Sequence, residues 1–258
     1  MHRLRHAPQL FVALLLSGAS LSCASEPFDM ASYAHLEASA APADFDGVTV
    51  TFMGVSTLLF SDGETTVIID GFFSRPDLGG LNLLRDIGPD AVRVDAALAR
   101  AGVSEAAAIT VVHSHYDHAM DTPLVAERTG AVVLGSESTA NIARGWGLPE
   151  TQIRVVAPGD SAAFGAFTLR WLPSKHYPLP PPANIMLGTT VDEPLVPPAS
   201  VTAWGEGRSD SIVIEHPRGN TLVQGSAGFV PGALASVDAD VVMLGIGGLA
   251  GEPATYQD

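Results

Sequence analysis

The sequence predicts a mixed α/β fold, and three observations carry that expectation. Short β-rich runs crowd the first ordered part of the chain. Apolar runs of strand length then alternate with helical patterns, and a cluster of histidines follows one of those runs directly. With 258 residues, 47% hydrophobic and 16% charged, the chain is long enough for one sizeable domain with its own core.

That domain is expected over residues 47–258. Residues 48–52, 56–60 and 66–70 are β-rich, and Asp62-Gly63 supplies turn chemistry between the second and third, so they read as an antiparallel meander. A helix is predicted over 90–101, where Val92, Val94, Ala97, Leu98 and Ala101 supply the apolar pattern and Gly102 the stop. A buried strand follows at 108–112. Helices at 123–129 and 138–145 and strands at 131–134, 153–156 and 167–172 continue the alternation.

The rhythm breaks at 178–207. Pro178, Pro180, Pro181, Pro182, Pro194, Pro197 and Pro198 are set there among Ile185, Met186, Leu187, Leu195, Val196 and Trp204. A stretch this long without regular structure is usually functional or disordered, and its apolar content argues against disorder. It reads equally as a lid over a neighbouring site or as packing against the core. Residues 212–214 and 222–223 then pair as a hairpin around 216–220, and 241–244 reads as one more buried strand.

Ahead of the domain, residues 1–23 read as an export signal. Arg3 and Arg5 precede an apolar stretch at 10–16 and small residues at 17–22. Ser20-Leu21-Ser22-Cys23 resembles a bacterial lipobox, with Ser20 where an aliphatic residue is usual. Cys23, the one cysteine, is thus either a lipid anchor or an incidental residue near a conventional cleavage point. Both readings place the protein in the periplasm or cell envelope. Residues 24–46 read as a linker. The formal charge of −15 repels phosphate backbones, which excludes nucleic acid as an expected partner. No apolar run approaches the ~18 residues of a membrane span.

The chemistry is expected in His113-Ser114-His115-Tyr116-Asp117-His118, directly after the strand at 108–112. Side chains two apart on an extended chain face the same way, so His113 and His115 reach one ion. The turn that follows carries Asp117 and His118 to its other side. Three imidazoles and a carboxylate within six residues exceed what an ordinary polar loop offers. A catalytic zinc usually takes three protein ligands and keeps one position for water, whose pKa it lowers to about 7. His176, just past the strand at 167–172, is the candidate third ligand. His2 and His6 lie in the signal and His35 in the linker, and His216, beside Pro217 in a hairpin turn, reads as a solvated surface histidine.

The His-x-His-x-Asp-His pattern behind Ile109-Thr110-Val111-Val112 resembles the metallo-β-lactamase superfamily. Phe52-Met53-Gly54-Val55-Ser56-Thr57-Leu58-Leu59 and Asp70-Gly71 are similar to further family segments. The resemblance covers residues 48 to the end. It implies a four-layer αββα sandwich with metals at one edge and Asp70 bracing the metal loop. It further implies that His113, His115 and His176 hold a first zinc, with Asp117 and His118 contributing to a second. Asp117 would orient the attacking water or take its proton. The implied activity is zinc-dependent hydrolysis of an ester, lactone or phosphodiester-type substrate, a small or lipid-like molecule. β-Lactams fit less well, because the neighbourhood of His176 does not look like that of true lactamases.

Two departures stand out. Gln224-Gly225-Ser226 occupies the place of the family's Gly-Asp pair, whose aspartate bridges two metals, and a neutral hydroxyl is a poor zinc ligand beside a carboxylate. No histidine follows His216, where the family places its last metal ligand. The expectation is a second metal site and a second half of the sandwich left incomplete, in a chain read as C-terminally truncated. The rival expectation is a catalytically impaired metal-binding or ligand-binding envelope protein. Iron-based redox chemistry is disfavoured by the missing carboxylate.

Overall fold

The computed structural model describes residues 45–77 and 85–246. The expected signal at 1–23 with Cys23, most of the linker at 24–46, and residues 247–258 lie outside the described residues.

β1 (Thr49–Gly54), β2 (Thr57–Ser61) and β3 (Thr66–Ile69) form the expected meander, with Phe52 opposite Leu58 and Leu59 opposite Ile68. Between β2 and β3 the Asp62 carboxylate accepts from the backbone N–H of Glu64 (2.9 Å) and Thr65 (2.7 Å), while Gly63 takes a φ of 90°. The β1–β2 connection is only Val55-Ser56, and Val55 sits at a φ of 55°. A β-branched side chain in that region costs on the order of 1–3 kcal/mol.

β4 (Asp86–Ile87) leads to α1 (Ala91–Ala101), capped by the Asp90 side chain accepting from Arg93 N–H and ended by Gly102 at a φ of 67°. Next come β5 (Ala108–Thr110), a one-turn α2 (Tyr116–Ala119), α3 (Thr122–Thr129), β6 (Val132–Gly135), α4 (Glu137–Trp146) and β7 (Ile153–Val155). The first sheet runs β1-β2-β3-β5-β6-β7, parallel from β3 onward. β8 (Ser161–Phe164), β9 (Phe167–Pro173), α5 (Ala183–Leu187), β10 (Ala199–Ser200), β11 (Asp210–Glu215), β12 (Thr221–Gln224) and β13 (Val241–Leu244) follow. The second sheet is ordered β13-β12-β11-β9-β8.

The sheets face each other across Phe60, Ile69, Leu169, Trp171, Ile212 and Val223. The Trp171 indole N–H donates to Thr110 Oγ1 (3.1 Å), tying them together. On the other face of the first sheet, Ile68, Ile109 and Val133 pack against Val94 and Leu98 of α1, Leu124 of α3 and Ala143 of α4. The layers are therefore α, β, β. Among the described residues, no helix of eight or more residues belongs to the fourth layer, on the outer face of the second sheet.

Two expectations change. β13 is not buried: it pairs parallel with β12 as the edge strand, Val241, Val242 and Leu244 are exposed, and only Met243 packs on the inter-sheet core. Residues 178–207 are not a free lid. Trp204 is fully buried with Phe72, Met120, Ile142, Val191 and Val201, and Leu195 N–H donates to Asn141 O (3.0 Å) on α4. Gly145 faces Leu195 so closely that a Cβ there would lie 1.9 Å from its carbonyl oxygen. The segment is held at these points, while much of the rest, Ile185 and Val196 included, faces solvent. Trp204→Ala should therefore cost about 3–5 kcal/mol in urea unfolding. Ile185→Ala, by contrast, should stay within about 0.5 kcal/mol; equal effects would return the segment to a peripheral role.

Candidate metal centre

The segment that carries His113 is held on three sides through backbone groups. Val112 N–H donates to Asp70 Oδ1 (2.9 Å), Val112 O accepts from Asp210 N–H (2.8 Å) of β11, and Ser114 N–H donates to Glu206 O (2.9 Å). Gly225, just after β12, abuts the Val112 side chain, where a Cβ would lie 2.6 Å from both methyls. The motif is thus pinned where the two sheets meet.

There His113, His115 and His176 converge, each offering a ring nitrogen within 4.8 Å of the others. Their rings meet edge to face, with centroids 4.7–4.8 Å apart. Hydrogen bonds fix which nitrogen is free. His115 Nε2 lies 3.0 Å from Leu187 O and His176 Nδ1 lies 2.6 Å from Tyr177 O. A carbonyl can only accept, so these nitrogens carry a proton, and in the neutral ring His115 Nδ1 and His176 Nε2 are the lone-pair donors. Both nitrogens of buried His113 lack a hydrogen-bond partner. Burial pushes the pKa of His113 well down, reinforced by the three neighbouring histidines, and burial with His176 nearby brings His115 to about 4. Neutral imidazoles packed with lone pairs inward and one orphaned ring are the donor set a borderline-soft divalent metal requires.

His118 and Asp117 occupy the other side. The His118 ring lies 3.9 Å from that of His113, and its Nδ1 is held by Asp70 Oδ2 (2.8 Å) and Ser56 Oγ (2.9 Å). Its Nε2 is 3.8 Å from the partly exposed Asp117 carboxylate. Burial opposes protonation of His118, but Asp70 and Asp117 outweigh it, and its pKa is raised. Ser56 also donates to Asp70. Asp70 and Ser56 thus brace the motif from the ends of β3 and β1. Asp121 does similar work one turn on, accepting from Phe73 N–H (2.7 Å), Ser74 N–H (2.6 Å) and Ser74 Oγ (2.6 Å).

Sequence reasoning singled out Asp70 but not Ser56, Asp121 or the Leu187 carbonyl. The Gly54-Val55-Ser56 turn carried the one available signal, while a main-chain acceptor 72 residues from its histidine leaves none. His216 is not the solvated residue expected. Its ring stacks 4.8 Å from Phe167, and Nε2 lies 3.4 Å from Asp62 Oδ2, because the two turns at that end of the sheets close on each other. It sits at the far end of β11 from the triad, outside the metal cluster. Ser226 lines the same cavity as His113, Asp117, His118 and His176, a space of about 610 Å³, and accepts from Tyr177 N–H (2.9 Å).

A family model described as the metallo-β-lactamase superfamily matches residues 50–241. The chain belongs to the metallo-β-lactamase superfamily. It is 26% identical over 129 residues to a "UPF0173 metal-dependent hydrolase" of Thermus thermophilus, covering 50% of this chain and 48% of that protein. With a like-named protein of Heliobacterium modesticaldum it shares 35% over 92 residues, 36% of this chain and 31% of that one. The chain thus spans about half or less of the length of the curated relatives it matches. A HARLDQ-motif mutant of a metallo-β-lactamase from Cronobacter sakazakii aligns over 79% of this chain and 78% of that chain, with a TM-score of 0.47 and 15% identity. The matched stretch contains the three converging histidines and Ser226, which lines the same cavity as His113 and His176.

Two outcomes follow. Because burial depresses both His113 and His115, the latter to about 4, protons compete for them only below the usual imidazole range. The Zn²⁺ dissociation constant, measured against a chromophoric chelator, should therefore change far less between about pH 7.5 and 5.5 than the roughly thousandfold of three hydrated imidazoles. Asp70→Asn should weaken metal binding by about 10–100-fold while the fold survives by circular dichroism; unchanged affinity would remove Asp70 from the support of the site.

Proposed function

We propose that the protein is a zinc-dependent hydrolase acting on an ester, lactone or phosphodiester-type substrate. The observation that carries this reading is the convergence of His113, His115 and His176, with His113 and His115 buried and, among the described residues, no hydrogen-bond partner for either ring nitrogen of His113. The relatives in Thermus thermophilus and Heliobacterium modesticaldum are named metal-dependent hydrolases, which supports the same class. When bound, zinc supplies Lewis acidity toward a carbonyl or phosphoryl oxygen and lowers the pKa of a coordinated water. The chain's own residues do the rest. Leu187 O and Tyr177 O hold two imidazoles in the right tautomer, Asp70 and Ser56 fix His118, and partly exposed Asp117 stands at the cavity, where a water proton can be accepted. Asp117 and His118 are proposed as ligands of a second, weaker metal.

Ser226 favours a second reading. It lines the cavity where the family places a bridging aspartate, so a metal-binding or ligand-binding protein without turnover is the rival. The charge pattern of residues 1–23 supports export to the periplasm or envelope, with Cys23 as a proposed lipid anchor.

Elemental analysis beside hydrolysis of generic esters and phosphodiesters separates the two readings. One or two zinc per chain with chelator-sensitive turnover supports the enzyme; zinc without turnover supports the rival. His115→Ala should lose metal and activity together. His216→Ala should keep both, although its packing on Phe167 makes some loss of stability expected. Equal metal loss in the two variants would overturn the ligand set.

A further inference from the structure

We infer that this site takes a substrate with an extended apolar chain, bound in a cleft that leads from the histidine triad out between the edge strands β1 and β13. The inference rests on the hydrolase reading above and adds the substrate class.

The cleft is a consequence of topology. β1 is the edge of one sheet and β13 the edge of the other, and the two face each other across a gap. Its floor is apolar: Val50, Leu58, Val223 and Met243 line a hollow of about 260 Å³. Phe52, Val55, Ser56, Gly225, Leu244 and Gly245 line both this hollow and the larger cavity containing His113 and His176, so the two adjoin along a shared wall. Among the described residues nothing charged lines the hollow, and the charged and titratable side chains in the larger cavity are those of the metal motif, His176 and Tyr177.

The walls are unusual for a soluble surface. Phe52 is 65% exposed, Val55 48%, Leu244 46% and Ile246 69%, and all four border the triad's cavity. Scattered exposed apolar residues are ordinary, but several converging on one chemical site mark a binding surface. Val55 adds an independent sign. It occupies the first position of a two-residue hairpin loop with a positive φ, where glycine is the favoured residue. A β-branched side chain held at that φ on the rim of a site places its methyls against the cavity at a backbone cost. Adjacency to the triad identifies the occupant: the apolar part of the molecule whose polar end reaches the metal ligands.

The experiment uses the full zinc-loaded protein with p-nitrophenyl esters from acetate to octanoate. It is accompanied by calorimetric binding of octanoate and butanoate, which needs no turnover. Each methylene entering the cleft should raise kcat/KM, and octanoate affinity over butanoate, by about threefold to fourfold per group until the cleft is filled. Val55→Gly and Phe52→Ser should flatten that dependence in both readouts. Val55→Gly should also melt no lower than the wild type, since it relieves the positive φ. Octanoate binding without hydrolysis of any ester sinks the hydrolase reading but leaves the cleft assigned. Hydrolysis with no dependence on chain length in either readout overturns the cleft and leaves the hydrolase. A dimer in sedimentation that Phe52→Ser dissolves, with no chain-length preference, gives the patch to a second copy and overturns the proposal too.

Discussion

The Asp70 carboxylate is the interaction on which the site depends. It is fully buried, at a sharp turn where both it and Gly71 have positive φ, and accepts from Val112 N–H, His118 Nδ1 and Ser56 Oγ. A buried carboxylate without partners would cost several kcal/mol, so the chain is constrained to supply them. Each partner comes from a different part of the fold: the end of β5, the short helix α2 and the β1–β2 turn. One desolvated charge thus fixes the relative position of the meander, the metal motif and the rim of the cavity. The backbone strain at Asp70 is offset by the bonds it makes possible.

From that anchor the metal centre follows by packing. Val112, bonded to Asp70 on one side and Asp210 on the other, is a backbone rivet between the sheets, and it sets His113 where His176 arrives from β9. Burial then does electrostatic work. It keeps His113 and His115 neutral, which a metal ligand must be, while the paired carboxylates pull His118 the other way. Neighbouring histidines of one six-residue loop are thereby given opposite protonation tendencies by environment alone.

The proline-rich segment 178–207 has a structural task that its composition conceals. Buried Trp204, Val191 and Val201 fasten it to the α-layer side of the domain, and from that fixed base Leu187 O orients His115 and Glu206 O holds Ser114. It is a strut supporting two residues of the motif. Apolar residues in an irregular segment look alike in sequence whether they cover a site or fill a core; only the side of the chain they face distinguishes the two.

The sequence by itself determined most of the long elements and the residue types gathered at the candidate site. Periodicity placed the meander, α1, α3, α4 and the β11–β12 hairpin to within a few residues, because those patterns are local consequences of burial on one face. The spacing of His113, His115, Asp117 and His118 marked out the loop whose first two histidines converge with His176, because residue type and separation are local too. Tertiary structure decided what depends on distant partners. β8 was missed, since Ser161–Phe164 has too few strand-forming residues to signal without β9 beside it. β13 proved an exposed edge and His216 a packed residue, since burial is set by neighbours that sequence position does not reveal. The tautomers of His115 and His176 and the apolar cleft between two sheet edges were decided there as well. Each arises where chain segments far apart in sequence meet, and the energies that fix them belong to the contact, not to either segment alone.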